Sequence, residues 1–455
     1  MLSFLTGTLS QGVQRFFNFY KGRQDYDSIN KFFYASIVIL LVLGVIIILL
    51  GETIGLWFLN AKMNIPSDRM YAANWVYQLS ILSMLAALLS VPFSAMIVAH
   101  EDFGIYAFLS IGVAMCNLLV AFLLKAASSD KLIFYAILVC IVHLMNAAAL
   151  VIISLVKYRK IRPVAHRDHS VFKSLLSFSG WTVLGGMSFT AGTTGLNIIL
   201  NIFFGTIANA ARGIAVQVST KVDEFIHNIQ QAMNPQITQL YAKGEYEAVE
   251  SLVDDNFRWN FALYWLIALP LLFEVEYILQ IWLGEVPQYT SVFTSIVVIR
   301  SLLKCFERPI NTLNFAIGIM KYVNLFAFFS VSLMVVVVIL AFKFGFPPYW
   351  AFIFDCITIF FCTLFYMYQA RKHGMFSFSH FIKNVLIRVM LVILISVSGT
   401  WLLRHIDLRG FLRLIYTLGV TFLLSGITIY YILFTSKDRS KVNSFIFNNI
   451  HRIVR

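Results

Sequence analysis

Long apolar stretches alternate with short polar connections along this chain, and most stretches show neither the two-residue alternation of a half-buried strand nor a regular polar face. Phe32 to Gly51, Tyr322 to Phe342 and Tyr349 to Ala370 are nearly free of charge. Each comes close to the roughly 20 residues a helix needs to cross a bilayer. A transmembrane barrel would show segments of about ten residues alternating in polarity, a pattern absent here. The pattern predicts an all-α polytopic membrane protein with twelve complete spans, at 32–58, 71–99, 103–125, 132–156, 174–204, 207–240, 249–283, 288–317, 320–344, 348–370, 382–404 and 409–435.

Three of these spans depart from uniform apolarity. Polar side chains are costly at bilayer depth unless they face a cavity or one another, so such spans are where function is sought. On 207–240, Gln217, Lys221, Glu224, Asn228 and Gln231 recur at three- and four-residue spacing and share a face, with Asp223 and His227 beside it. On 288–317, Arg300, Lys304, Glu307, Asn311 and Asn314 repeat the pattern, with Arg308 adjacent. A milder stripe on 174–204 runs through Thr190, Thr193, Thr194, Asn197 and Asn201. Interhelical hydrogen bonds or an internal pair such as Lys304 with Glu307 would explain one such helix. Three together predict a shared wet lumen whose cations, Lys221, Arg300, Lys304 and Arg308 with Arg212 and Arg258 as further candidates, outnumber Asp223, Glu224 and Glu307. That excess suits an anionic cargo. Asp355 and His143, single polar residues in apolar helices, read as buried hydrogen-bonded groups. Pro235, Pro270 and Pro309 fall within helical spans, where each removes a backbone bond and favours a kink.

Composition agrees with a membrane chain, at 59% hydrophobic and 13% charged residues. Its formal charge of +13 points to topology before nucleic acid. Threading the spans alternately gathers Lys21, Arg23, Lys31, Lys157 to Lys173, Arg371, Lys372, Lys383 and Lys437 to Lys441 on one face. The other face receives only Lys62, Arg69, Lys125, Lys131, Lys343, Arg404 and Arg409. The positive-inside bias makes the first face, and with it the C-terminus, cytoplasmic. All five cysteines lie inside apolar runs without ligand spacing, so neither a disulfide nor a metal is expected, and no cofactor. Met1 to Tyr20 lacks the layout of a signal peptide.

An internal repeat is also legible. Tyr20-Lys21-Gly22 with Tyr26-Asp27 resembles Tyr241-Ala242-Lys243-Gly244 with Tyr246-Glu247, and Glu52, Trp57 and Pro66 resemble Glu276, Trp282 and Pro287. All are offset by about 220 residues, as two equivalent halves would produce. At that offset Met1 aligns near Asp223, so a first helix and part of a second are expected to be missing.

The stretch Ala208-Asn209-Ala210-Ala211-Arg212-Gly213-Ile214-Ala215 with Gln217-Val218, then Asn234-Pro235-Gln236-Ile237 and Tyr241-Ala242-Lys243-Gly244, resembles the polysaccharide-exporter branch of the MATE-like multidrug/oligosaccharidyl-lipid/polysaccharide flippase superfamily. Similar too are Gln14-Arg15-Phe16, Ile65-Pro66-Ser67, Pro92-Phe93, Ala99-His100-Glu101 and Ile281-Trp282-Leu283-Gly284. The resemblance implies two pseudo-symmetric six-helix lobes plus two C-terminal helices. On this sequence that means a lobe at 1–170 truncated at its start, a lobe at 171–371, two additional helices at 372–435 and a basic cytoplasmic tail at 436–455. It implies translocation of polyprenyl-pyrophosphate-linked O-antigen or capsule repeat units between leaflets of a bacterial inner membrane by alternating access. The implied partners are the lipid-linked oligosaccharide, membrane lipid, and the polysaccharide polymerase and chain-length proteins, with no nucleic acid. Arg15 and Arg212 match motif positions and become candidate cargo contacts, beside Lys221, Arg300, Lys304 and Arg308 and the polar lining Asn197, Gln217, Glu224, Asn228 and Asn311. A drug or cation antiporter of the same superfamily would want a lumen rich in acids. An intramembrane polymerase or ligase would need a catalytic constellation on a sizeable periplasmic loop, and the connections are short, so no enzymatic activity is expected.

Overall fold

A computed structural model of the chain describes residues 3–61, 67–126, 130–163, 168–403 and 410–453. Lys62, Pro66, Arg167, Arg404 and Arg409 lie outside the described residues, as do the side chains of His227, Asn228 and Gln231. Helices occupy all twelve expected spans, and no strand forms among the described residues. The first unit of structure holds α1 (Ser3–Gly22), α2 (Tyr26–Leu50) continuing through a π turn at Gly51–Gly55 into α3 (Leu56–Ala61), α4 (Met70–Ala99), α5 (Phe103–Ala126) and α6 (Lys131–Lys157). There follow α7 (His169–Lys243), α8 (Tyr246–Leu283), α9 (Thr290–Ile317), α10 (Met320–Lys343), α11 (Trp350–Lys372), the short α12 (Phe378–Phe381), α13 (Ile387–Leu403), α14 (Gly410–Thr428) and α15 (Ser436–Ile453).

Ten of the described helical stretches are long and apolar enough to cross a membrane. The second part of α7 and the whole of α9 are not among them, because they carry the polar stripes. The connection expected between 204 and 207 shrinks to one residue. Gly205, at φ 72 and ψ −163, breaks α7 in a backbone region that a side chain would obstruct. Elsewhere helices start on carboxylate caps: Asp25 accepts from the Ser28 N–H at 3.0 Å and Asp130 from the Leu132 N–H at 2.9 Å. The repeated Tyr motifs mark equivalent places, since α1 ends at Gly22 before α2 opens at Tyr26, and α7 ends at Lys243 before α8 opens at Tyr246.

The chain divides into two compact units, Met1–Gly186 and Met187–Arg455. In the first, Leu9, Leu40, Leu88 and Val91 pack α1, α2 and α4 together. Its polar loops are tied at one end of the bundle: Lys157 Nζ donates to Asp102 at 2.6 Å, the Tyr158 hydroxyl donates to the same carboxylate, and His100 stacks on Tyr158 at 4.2 Å between centroids. Burial pushes the Asp102 carboxyl up, but the hydrogen bonds from Lys157 and Tyr158 outweigh it and leave the group below its ordinary value. Burial also holds the His100 imidazole below its usual range.

In the second unit Leu200, Ala211, Phe293, Val338 and Ala351 join α7, α9, α10 and α11 in one core. The helices beyond Phe378 attach to α8 through polar contacts along its length. His380 Nε2 meets Asp254 at 2.7 Å, Trp265 Nε1 donates to Ser396 Oγ at 2.9 Å, and Glu274 accepts from Arg413 at 2.9 Å and Thr417 at 3.0 Å. An interhelical hydrogen bond at bilayer depth contributes about 0.6 kcal/mol on average, so it is their number that anchors the helices. In the first half of α8, Arg258 Nε and Trp259 Nε1 both donate to Asp438 at 3.1 Å. Asp438 is fully buried and pins the start of α15. Arg258 also donates to Asp255 at 2.5 Å, so the arginine read from sequence as a candidate lumen cation is a buried anchor for the C-terminal helix.

Candidate functional site

The cations of α9 are spaced four residues apart, which stacks Arg300, Lys304 and Arg308 along one side of the helix. Two neighbouring helices supply their counter-ions. Arg300 Nε donates to Asp355 of α11 at 2.5 Å, both side chains being about one-sixth exposed, at 16% and 17%. Asp223 of α7 faces the other two: one carboxylate oxygen lies 3.8 Å from Lys304 Nζ and 3.4 Å from Arg308 Nη2. A single acid thus spans two positive charges at distances longer than a well-made charge-assisted hydrogen bond. Glu307 lies on the same helix within electrostatic reach of all three cations.

Arg212 extends the cluster along α7. Its Nη1 donates to Asn197, its Nη2 donates to the Thr193 carbonyl at 2.9 Å, and it stands within electrostatic reach of Asp355 and Arg300. These bonds cross the break at Gly205, so the glycine turns the first part of α7 back against the second. The Arg212 Nε is buried without an acceptor. Four cations, Arg212, Arg300, Lys304 and Arg308, therefore face three carboxylates, Asp223, Glu307 and Asp355. Deeper along α9, Asn314 Nδ2 donates to the Tyr366 carbonyl at 3.0 Å, while Asn311 Oδ1 is buried without a donor. Thr312 donates to Asn234 at 2.9 Å and ties α9 to α7.

The remaining sequence candidates lie elsewhere. Lys221 and Glu224 are exposed and bond to each other at 3.0 Å along their own helix, and Gln217 is exposed on the same segment. The side chain of Asn228 is outside the described residues. Arg15 belongs to the unit Met1–Gly186, where its guanidinium lies 4.9 Å from the ring centroid of Phe178, 5.1 Å from Phe16 and 5.7 Å from Phe19. Asp355, read from sequence as a buried hydrogen-bonded group, is one, and its partner is Arg300. Spacing gives no hint of that pairing, because the two residues sit on helices that meet only in the folded unit.

Solved structures place this architecture. The chain superposes on a MATE crystal structure in the bent conformation with a TM-score of 0.73 over 81% of this chain and 84% of that one, at 12% identity. The fold is that of the MATE transporters. An outward-facing multidrug resistance MATE transporter of the MOP superfamily matches at TM-score 0.71 and 13% identity, and a MOP superfamily transporter from Pyrococcus furiosus at 0.69 and 12%, each over 81% of this chain and 84% of its own. The latter is described as having a binding pocket of reversed polarity that suggests a different function. No protein-family model matches the sequence, and a search of curated proteins returns no match.

Proposed function

We propose that this chain moves a lipid-linked anionic oligosaccharide, a polyprenyl-pyrophosphate-linked repeat unit, from the cytoplasmic to the periplasmic leaflet of a bacterial inner membrane. One observation carries the proposal: α9 presents a ladder of three cations whose counter-ions reside on two other helices, within a transporter fold. A pyrophosphate offers several charged oxygens and competes well against the single Asp223 oxygen stretched between Lys304 and Arg308. When the phosphates leave, Asp223 and Asp355 take the cations back, so the empty carrier holds less bare charge in a low-dielectric space. Pocket polarity is a variable of this fold, as the description of the Pyrococcus furiosus neighbour says of that protein. A basic ladder is consistent with a cargo other than a cationic drug.

Substituting Arg300, Lys304 and Arg308 together with Gln tests the assignment. The expected result is loss of surface polysaccharide, with the lipid-linked saccharide accumulating on the inner leaflet and protein levels unchanged. Export at the normal rate would end it. A drug or cation antiporter is the second reading, favoured by Asp223, Glu307 and Asp355 standing within the same cluster. It predicts that Asp223→Asn abolishes cation-coupled efflux in proteoliposomes, and that no lipid-linked saccharide builds up on deletion.

A further inference from the structure

The end of α8 and the start of α9 frame a pocket of about 380 Å³, separate from the cation ladder. One wall is formed by Glu276 and Gln280, four residues apart on α8 and both exposed. The opposite wall is the first turn of α9, which opens after Tyr289 in a left-handed conformation at φ 72 and has no side-chain cap. The Thr290 N–H is taken by the Pro287 carbonyl at 3.1 Å, and the missing cap leaves the N–H groups of Ser291 and Val292 for an outside acceptor. Thr290, in that same turn, lines the pocket, and its hydroxyl is buried with no hydrogen-bond partner. The repeat supplies a contrast: Glu52, the counterpart of Glu276, accepts from Gln78 Nε2 at 3.0 Å, whereas Glu276 forms no ion pair among the described residues.

The two walls ask for opposite things. A free anion gains at the helix start and is repelled by Glu276, and a metal cation or drug cation meets the reverse. A hydroxyl group donates to the carboxylate and accepts from the N–H groups, so neighbouring hydroxyls on one ring satisfy both walls at once. Pro287 and Tyr289 add apolar surface for the C–H face of such a ring, and the volume falls in the range of small-molecule sites.

We propose that this pocket is a saccharide subsite, taking one neutral or amino-bearing sugar between Glu276 and Gln280 on α8 and the first turn of α9. The inference rests on the proposed saccharide cargo and assigns its sugar portion a contact distinct from the cations that take its phosphates. The test uses the full chain in lipid nanodiscs and saturation-transfer NMR with galactose, glucosamine and an N-acetylglucosamine disaccharide. At least one of them is expected to give a saturable response that weakens about tenfold in Glu276→Gln and disappears in Glu276→Lys. Glu52→Gln is expected to leave it unchanged, and glucuronate, which carries a carboxylate, to bind more weakly than galactose. No saturable response to any of the three sugars overturns the subsite, as does a response indifferent to Glu276. The two proposals fail separately. If sugar binding follows Glu276 while the triple Gln variant of the ladder still exports, the ladder assignment falls and the pocket stands. If export is lost in the triple variant but Glu276→Gln binds sugar normally, the pocket falls alone.

Discussion

In Met1–Gly186 the guanidinium of Arg15 is held among the rings of Phe16, Phe19 and Phe178, whereas in Met187–Arg455 Arg300 is held by Asp355 and the pair Lys304 and Arg308 by Asp223. The two arrangements hold a cation by different means, with different electrical results. An aromatic quadrupole attracts a cation without cancelling its formal charge. A carboxylate cancels it, and an incoming anion must then displace that carboxylate. The ring contacts do not themselves cancel the charge of Arg15, while on the ladder two carboxylates, Asp223 and Asp355, partly balance three cations.

The largest expected effect comes from breaking a carboxylate-held contact. Asp355→Asn leaves Arg300 mostly buried without its counter-ion and should cost about 3 kcal/mol of stability, read as a lowered unfolding temperature in detergent. The double variant Arg300→Gln with Asp355→Asn should recover most of it. If the double variant is no better than the single one, the pair is not coupled and the contrast with Arg15 collapses. Removing the ring-held cation should cost less. Arg15→Gln is expected to lose about 1 kcal/mol, with Arg15→Lys intermediate, in the same unfolding measurement.

Acid gives the smallest effect and separates the two modes. Asp438 is buried, which would raise its carboxyl, but donation from Thr435 and the proximity of Arg258 and Trp259 outweigh burial and hold it below its ordinary 3.8. A carboxyl depressed in the folded state contributes stability that is complete above its unfolded value and lost as the pH falls through the lower folded one. Hydrogen exchange across α15 should therefore stay unchanged from neutral pH to about pH 4 and accelerate below it, while the ring contacts of Arg15, in which neither the guanidinium nor a phenyl ring titrates in that range, persist. Acceleration beginning near pH 6 would show that another group controls the docking of α15.

Much of the architecture was legible because membrane helices advertise themselves by length: α4, α5, α6 and α10 begin and end within a residue or so of the apolar runs. The α9 ladder was legible as a face because helical periodicity is local. What periodicity cannot convey is what approaches from elsewhere. Arg258 lies in a helical span like any lumen cation, and only Asp438, 180 residues further on, makes it an anchor. Asp355 looked solitary for the same reason, since its arginine is 55 residues distant. Lys157 counted as a topology marker, yet it also closes a loop on Asp102. The break at Gly205 was expected as a short loop, and a single residue suffices because glycine alone accepts that backbone conformation at little cost.

The bonds from α8 to His380, Ser396, Arg413, Thr417 and Asp438 fasten four later segments to one helix, itself kinked at Glu274. Any tilt of α8 must then carry those segments with it, and their viscous drag in the surrounding lipid adds to the resistance. A spin label on α14 would track α8 with no probe placed on α8 itself. Lipids that grip those helices would slow the motion of α8 without touching it.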